Sequence, residues 1–308
     1  MAVAQVLQSL AVVVFMILPG FVFGKIKFFR EDFYAGLSSF AVNLSIPALI
    51  INSMQVPYSR ELLAGIGKTF AFWIPVVIAA AVLSLVFSRL LRYSNKQFTL
   101  VMCMLMASNT GFVGIPLCLE LYGSESLFYA SACEIAGDFF LYSVIFTSVA
   151  IASGYKAEFN LRALFLNPPI IAMLIGITLF LLRIRLPEFL GTPLEYFANT
   201  SAPIALFVMG SQLSRLSLKD FLFDWRIYII CALRLIVLPL FAFLLVRVMF
   251  GDTSLFSKVF IIMVAMPAAS VTTTAALTYH SDAEFAAKGV SLSTVLCLLT
   301  APFWAFVL

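Results

Sequence analysis

Three ionisable residues lie inside long apolar stretches of this sequence. Glu134 and Asp138 are four residues apart within 126–153, and Arg234 lies within 225–250. The four-residue spacing would put both acids on one face of a helix. Each charge costs about 2.5–3.5 kcal/mol at the centre of a helix in lipid, so the three side chains must face protein or water. Two interpretations stay open: a structural ion pair or triad, and a site that binds a proton or a cation.

A second group of residues predicts a break in a helix. Asn109 and Thr110 precede Gly111, Gly114 and Pro116 inside another apolar stretch. Proline lacks an N–H and clashes with the preceding turn, and glycine lowers the cost of leaving helical dihedrals. We therefore expect the chain to be unwound from Asn109 to Pro116. The Asn109 amide could orient a carboxylate or cap freed backbone groups, and a proline kink without a ligand is the simpler alternative.

A similar break is expected around Pro267. Ser270 and Thr273 follow it with hydroxyl groups that could bond a substrate or an ion, although hydroxyls in helices usually bond their own backbone. Unwound backbone inside a membrane is tolerated only where it is buried in protein or lines a cavity. Two breaks would also leave half-helix N-termini, which carry partial positive charge and suit an anionic group.

The elements that carry these residues are membrane spans. The chain has 308 residues, of which 63% are hydrophobic and only 11% are charged, against about 25% charged in a soluble domain. Eight runs of at least 19 residues contain no Asp, Glu, Lys, Arg or His, and each is long enough to cross ~30 Å of hydrocarbon. The two stretches with internal charges bring the total to ten helices, because barrel strands would need short alternating segments.

The ten predicted spans have approximate limits of 1–24, 33–59, 69–88, 97–119, 126–153, 163–182, 196–214, 225–250, 259–279 and 289–308.

Composition excludes several other classes of protein. The net charge of +4 is small and dispersed, so we expect no nucleic-acid partner. The five cysteines form no CxxC pair, which indicates neither a disulfide framework nor a zinc site. No HExxH, GxSxG or P-loop motif occurs, so we expect no enzyme, no metal and no cofactor apart from a coupling ion.

Lysine and arginine residues predict the orientation in the membrane, because they are enriched in cytoplasmic loops. The loops after predicted spans 1, 3, 5, 7 and 9 hold twelve of them, and the alternating loops hold six. We therefore expect a multi-pass protein of the cell (inner) membrane, in contact with lipid, with both termini outside the cytoplasm.

The two halves of the sequence share short similarities. Segments 45–49 and 201–206 both contain Ser, Pro, Ala and Leu at an offset of 156 to 157 residues, and matches after predicted spans 4 and 9 have an offset of 157. Coincidence between apolar sequences is the alternative. Five spans in each half would invert the second half relative to the first. The predicted repeats are residues 1–155 and 156–308.

The segment 109–117 resembles the span 4 signature of the auxin efflux carrier family, whose members share the PIN-like transporter fold. Further similarities in spans 6, 7 and 8 are Asn167-Pro168, Ile170-Ile171-Ala172, Gly176, Ala202-Pro203-Ile204-Ala205-Leu206-Phe207, Gly210, Arg234-Leu235-Ile236 and Pro239-Leu240.

The resemblance implies an all-α integral membrane protein with ten transmembrane helices in two inverted five-helix repeats. It also implies a scaffold of spans 1, 2, 6 and 7, through which members often form homodimers, beside a transport domain of spans 3–5 and 8–10. Spans 4 and 9 would break and cross at the substrate site. Bacterial members are similar to carriers of small organic anions such as dicarboxylates, and plant members export the indole carboxylate auxin. Span 9 lacks the Asn that plant members have beside Pro267, which argues against plant-like hormone recognition.

These features predict a secondary carrier that moves a small carboxylate by an alternating-access, elevator-type mechanism. Coupling to H⁺ or Na⁺ stays open, and Glu134, Asp138 and Arg234 are the residues that would carry it. The expected substrate-binding residues are Asn109, Thr110, Gly111, Gly114, Pro116, Pro267, Ser270 and Thr273. Two alternatives remain: a receptor with a carrier fold would bind ligand without flux, and a channel would conduct without saturable exchange.

Overall fold

The computed structural model describes residues 3–152, 154, 166–215 and 224–308, and every regular element in these residues is a helix. In chain order the helices are α1 (Val3–Lys25), α2 (Glu31–Ser53), α3 (Arg60–Leu90), α4 (Asn95–Met106), α5 (Thr110–Tyr122), α6 (Ser126–Ile151), α7 (Pro168–Leu182), α8 (Glu188–Asn199), α9 (Ser201–Ser214), α10 (Trp225–Met249), α11 (Leu255–Val264), α12 (Val271–Thr278) and α13 (Ala283–Val307).

Six helices in these ranges are long and apolar enough to cross a membrane: α1, α2, α3, α6, α10 and α13. The helices α5, α7 and α11 are apolar but shorter. An all-helical membrane protein is therefore confirmed, whereas the arrangement of ten spans in two inverted repeats stays a prediction. The expected boundary between the repeats, at residues 155 and 156, and the expected start of the sixth span at residue 163 lie outside the described residues.

Polar side chains fix where several helices begin. Ser59 accepts hydrogen bonds from two first-turn N–H groups of α3 at 3.1 and 3.5 Å. Ser94 and Gln97 form a capping box at the start of α4. Asp282 accepts the N–H of Phe285 at 3.0 Å at the start of α13. These caps satisfy N–H groups that the first turn of a helix leaves free.

The short helices α4 and α11 lie in the core of the protein. Residues 259–266 are completely buried, and so are Leu100, Val101, Cys103 and Leu105 of α4. A helix that is apolar on all sides is typical of such a buried position. Both helices end inside the core, and the chain leaves helical geometry there.

Close packing of α1 against α9 depends on glycine. A Cβ atom on Gly20 would collide with the carbonyl of Phe207, and one on Gly210 would collide with the carbonyl of Ile17. Small residues allow the backbones of membrane helices to approach in this way. The contact places Arg215, at the end of α9, beside the loop that follows α1.

Candidate functional site

The two helix breaks lie against each other. Residues 107–109 separate α4 from α5, and residues 265–270 separate α11 from α12. Within them Ser108 and Ala268 pair as residues do in an antiparallel sheet. We call these two paired segments the crossover.

Two hydrogen bonds hold the crossover together. The N–H of Asn109 donates to the carbonyl of Pro267 at 2.8 Å, and the N–H of Ala269 donates to the carbonyl of Ala107 at 3.0 Å. Each break therefore satisfies backbone groups of the other. This pairing avoids the several kcal/mol that each buried, unpaired backbone group would cost.

The expected unwinding from Asn109 to Pro116 is wrong in its extent. Only the crossover residues leave the helix. Thr110–Gly114 form a π turn, and Pro116 lies in the first α-helical turn that follows. The extra residue of a π turn widens the helix ahead of the proline ring, so the chain accommodates the ring without unwinding. Pro47 and Pro239 follow π turns in the same way.

Arg234 connects the ends of α4 and α11. Its side chain is buried, with 1% exposed. The guanidinium donates from Nε to the carbonyl of Met266 at 3.0 Å, from Nη1 to the carbonyl of Leu105 at 3.1 Å, and from Nη2 to the hydroxyl of Ser108. Carbonyls at a helix C-terminus lack a partner in the helix and carry partial negative charge. Arg234 therefore both bonds and neutralises the two broken ends.

Glu134 of α6 lies beside the start of α5. The residue is 8% exposed, and its Oε2 atom is buried without a hydrogen-bond partner among the described residues. A Cβ atom on Gly111 would lie 2.6 Å from Oε1 of Glu134. The absence of a side chain at Gly111 thus lets the acid approach the positive N-terminal end of α5.

Asp138, one turn further along α6, has a different partner. Its Oδ2 atom accepts a hydrogen bond from Nδ2 of Asn167 at 3.3 Å, and Asn167 immediately precedes α7. Neither Glu134 nor Asp138 forms an ion pair with Arg234. The structure does not bring the three charges together, because the guanidinium already bonds the carbonyls of Leu105 and Met266.

A cavity of about 480 Å³ lies beside α12. Ser270 and Thr273 line it on one side, Gln212 and Arg215 line it from the end of α9, and Lys288 lines it from α13. Because Ser270 is the last residue of the crossover, the cavity extends to the crossover itself.

Asn109 has a polar side chain in the crossover that is available to a ligand. It is 8% exposed, and its side-chain amide has no hydrogen-bond partner among the residues that the structure describes. An amide offers both donors and acceptors. Asn109 could therefore bind a carboxylate without first losing a bond to the protein.

The other predicted site residues fall into three groups. Pro267 and Ser270 lie in the crossover with Asn109. Thr110, Gly111 and Gly114 lie in the π turn of α5, where Gly114 allows a close approach to α11. Pro116 and Thr273 lie in the α-helical segments that follow. Within the described ranges, no cluster of three His, Cys, Asp or Glu side chains could hold a metal ion.

Comparison with known proteins identifies the family. The family model described as "Membrane transport protein" matches residues 5–305. The chain belongs to this family. The resemblance to auxin efflux carriers is thereby confirmed, and the protein is a membrane transporter. It is similar to an uncharacterized transporter from Methanocaldococcus jannaschii, at 24% identity over 96% of this chain and 97% of that one. It is also similar to an uncharacterized transporter from Methanothermobacter thermautotrophicus, at 26% identity over 98% of each chain.

Two serines that the sequence did not indicate also bond at the crossover. Ser108 accepts from Arg234, and Ser293 of α13 accepts the N–H of Ala268 at 3.1 Å while donating to the carbonyl of Val290 at 2.8 Å. Serine in a membrane helix usually bonds its own backbone, so Ser293 gives no sequence signal. The position of Ser108 next to Asn109 is the one signal that could have identified it.

We expect Gly111→Ala to destabilise the transporter. The new Cβ would lie 2.6 Å from the buried Glu134 carboxylate, and overpacking of this kind costs about 1–3 kcal/mol. Thermal unfolding in detergent would show a lower Tm. Gly67→Ala is the matched control, because a Cβ at that exposed position of α3 meets nothing within 4 Å and alanine favours a helix. Equal Tm values for the two variants would contradict the close contact.

Proposed function

We propose that this transporter is a secondary carrier that moves a small organic anion, a carboxylate, by alternating access. The observation that carries the proposal is the crossover, where two breaks pair in the buried centre of the protein beside a buried amide with no protein partner. Broken helices at such a depth are typical of the substrate sites of secondary transporters.

The N-terminal end of α12 favours an anionic ligand, because it carries partial positive charge and begins after Ser270 at the cavity. The other helix ends of the crossover are already compensated by the protein: Arg234 neutralises the C-terminal ends of α4 and α11, and the Glu134 carboxylate lies at the N-terminal end of α5. A carboxylate at the start of α12 would accept hydrogen bonds from backbone N–H groups, the Ser270 hydroxyl and the Asn109 amide.

The expected movement is that of an elevator. The scaffold would consist of α1, α2 and α7–α9, and the moving domain would consist of α3–α6 and α10–α13. The cavity lies between α9 of the first group and α12 and α13 of the second. It would open to the cytoplasm, because Arg215 and Lys288 lie on the face that the distribution of cations assigns to that side. The hydrogen bond between Asp138 and Asn167 joins the two groups and would break on movement.

Glu134 and Asp138 would couple transport to H⁺ or Na⁺. A buried carboxylate oxygen without a partner is costly in its charged form, and a bound proton or cation would remove that cost.

We expect Glu134→Gln to weaken the dependence of uptake on pH or sodium in proteoliposomes, and Asp138→Asn to alter it. Glu125→Gln, at the exposed start of the same helix, is the control. Wild-type pH and sodium dependence in both Glu134→Gln and Asp138→Asn would remove the coupling role.

The substrate class can be tested by ligand-induced stabilisation. Mono- and dicarboxylates, and their neutral amide analogues, would be added to the purified transporter with and without sodium during thermal unfolding. A ligand that binds the folded state stabilises it by about 2.7 kcal/mol at one hundred times its Kd. We expect carboxylates and not the amides to raise the Tm. Equal effects of acids and amides, or none from any carboxylate, would contradict an anion site.

A further inference from the structure

A second cavity, of about 830 Å³, lies where the end of α1, the start of α2 and the end of α9 meet. It lies at the end of these helices and contains no crossover residue, although Arg215 lines both this cavity and the cavity beside α12. Its charged lining consists of four cations and two acids: Lys25, Lys27, Arg30, Arg215, Glu31 and Asp32.

Within the described ranges, two of the four cations of this cavity form no ion pair. Arg30 lies 3.5 Å from Asp32, and Arg215 lies 3.7 Å from Glu31. Lys25 and Lys27 form no ion pair with any residue that the structure describes. The two lysines therefore give the cavity a local excess of positive charge.

Tyr34 adds an unsatisfied donor to the same cavity. The residue is 6% exposed, and its hydroxyl is buried with no hydrogen-bond partner in the part of the chain that the structure describes. Its ring stacks on Phe207 of α9, with the centroids 6.0 Å apart, so the side chain is held in place. A buried hydroxyl without a partner is unfavourable, and an acceptor group of a ligand would satisfy it.

Exposed apolar residues alternate with the cavity residues along the chain. Ile26, Phe28 and Phe33 are 62%, 63% and 40% exposed and do not line the cavity themselves. Aromatic side chains concentrate at the boundary between lipid headgroups and hydrocarbon. A ligand here would meet positive charge and a hydroxyl group on one side and apolar side chains on the other.

We propose that this cavity binds the phosphate of an anionic phospholipid. The phosphate contacts Lys25, Lys27 and the Tyr34 hydroxyl, and the acyl chains lie along Ile26, Phe28 and Phe33. A soluble phosphate would leave these apolar side chains without a partner, which favours a lipid. The site would attach the corner between α1 and α2 to the surface of an anionic leaflet.

Native mass spectrometry of the purified protein would test this site, with phosphatidylglycerol and phosphatidylcholine added in competition. We expect the wild type to prefer phosphatidylglycerol. Lys25→Gln combined with Lys27→Gln should reduce that preference about tenfold or more, because each cation near an anionic surface contributes substantially to binding. Tyr34→Phe should reduce it by about threefold, because one hydrogen bond is lost.

The matched control removes two other cations from the same end of the helices. Arg89 and Arg92, at and just beyond the end of α3, are exposed and do not line the cavity. Arg89→Gln combined with Arg92→Gln should leave the preference near that of the wild type. Equal losses in the two double variants, or no preference in the wild type, would overturn the site. Competition by glycerol phosphate at the affinity of the lipid would show a soluble-anion site instead and would also overturn the proposal.

Discussion

Asn109→Ala is expected to reduce carboxylate transport by roughly 10- to 150-fold while the protein stays folded. A hydrogen bond to a charged ligand contributes about 1.5–3 kcal/mol, and each 1.4 kcal/mol changes binding tenfold. The Asn109 amide has no partner among the described residues, so its removal leaves no protein group unsatisfied. Initial rates of uptake into proteoliposomes, measured below saturation, give the loss, and the Tm in detergent shows that the fold is retained.

Asn43→Ala is the control for that experiment. Asn43 is exposed on α2, and its amide bonds the Ser39 carbonyl of its own helix at 2.8 Å. This variant should transport at the wild-type rate. If Asn109→Ala also transports at that rate, Asn109 is not part of the substrate site.

Arg234→Met should cause the largest loss of stability. The substitution leaves the carbonyls of Leu105 and Met266 without their donors in the buried crossover, and each unsatisfied acceptor costs about 1–3 kcal/mol. The expected total is roughly 2–6 kcal/mol, measured as a fall in Tm and in the yield of folded protein. The Tm of Arg234→Lys should lie between those of the wild type and Arg234→Met, because lysine keeps the charge but lacks the planar fork of donors.

Arg247→Met is the control, because it removes another arginine of α10 without removing the bonds to the two broken helix ends. Arg247 bonds Ser257 at 3.3 Å and the carbonyl of Leu308 at 3.1 Å, outside the crossover. Its removal should lower the Tm by less than the removal of Arg234. Similar Tm values for the two methionine variants would show that Arg234 does not hold the two broken ends together.

The sequence predicts the position of the crossover better than its extent. Long charge-free runs identify an all-helical membrane protein. Proline with glycine indicates the break between α4 and α5, and Pro267 indicates the break between α11 and α12. Pro116 misleads, because a π turn lets the helix continue through it. Residue types alone do not show whether a proline follows a widened turn or ends a helix.

The partners of buried charges were harder to predict than their burial. Hydropathy requires Glu134, Asp138 and Arg234 to avoid lipid, and opposite signs suggest an ion pair. The structure gives Arg234 the carbonyls of two helix ends and gives Asp138 the amide of Asn167. Backbone carbonyls become available only where helices end, so this role of Arg234 depends on a tertiary contact between segments about 160 residues apart that local sequence does not show.

Substrate exchange in proteoliposomes is the most direct test of a carrier that works through the crossover. Vesicles would be loaded with an unlabelled carboxylate that stabilises the protein and placed in a solution of the same compound carrying a label. Entry of the label would be followed at increasing external concentrations of the compound. We expect saturable exchange that Asn109→Ala slows by roughly 10- to 150-fold and that Asn43→Ala leaves at the wild-type rate. Binding without exchange, or label entry that rises without saturation, would contradict a carrier and favour a receptor or a channel.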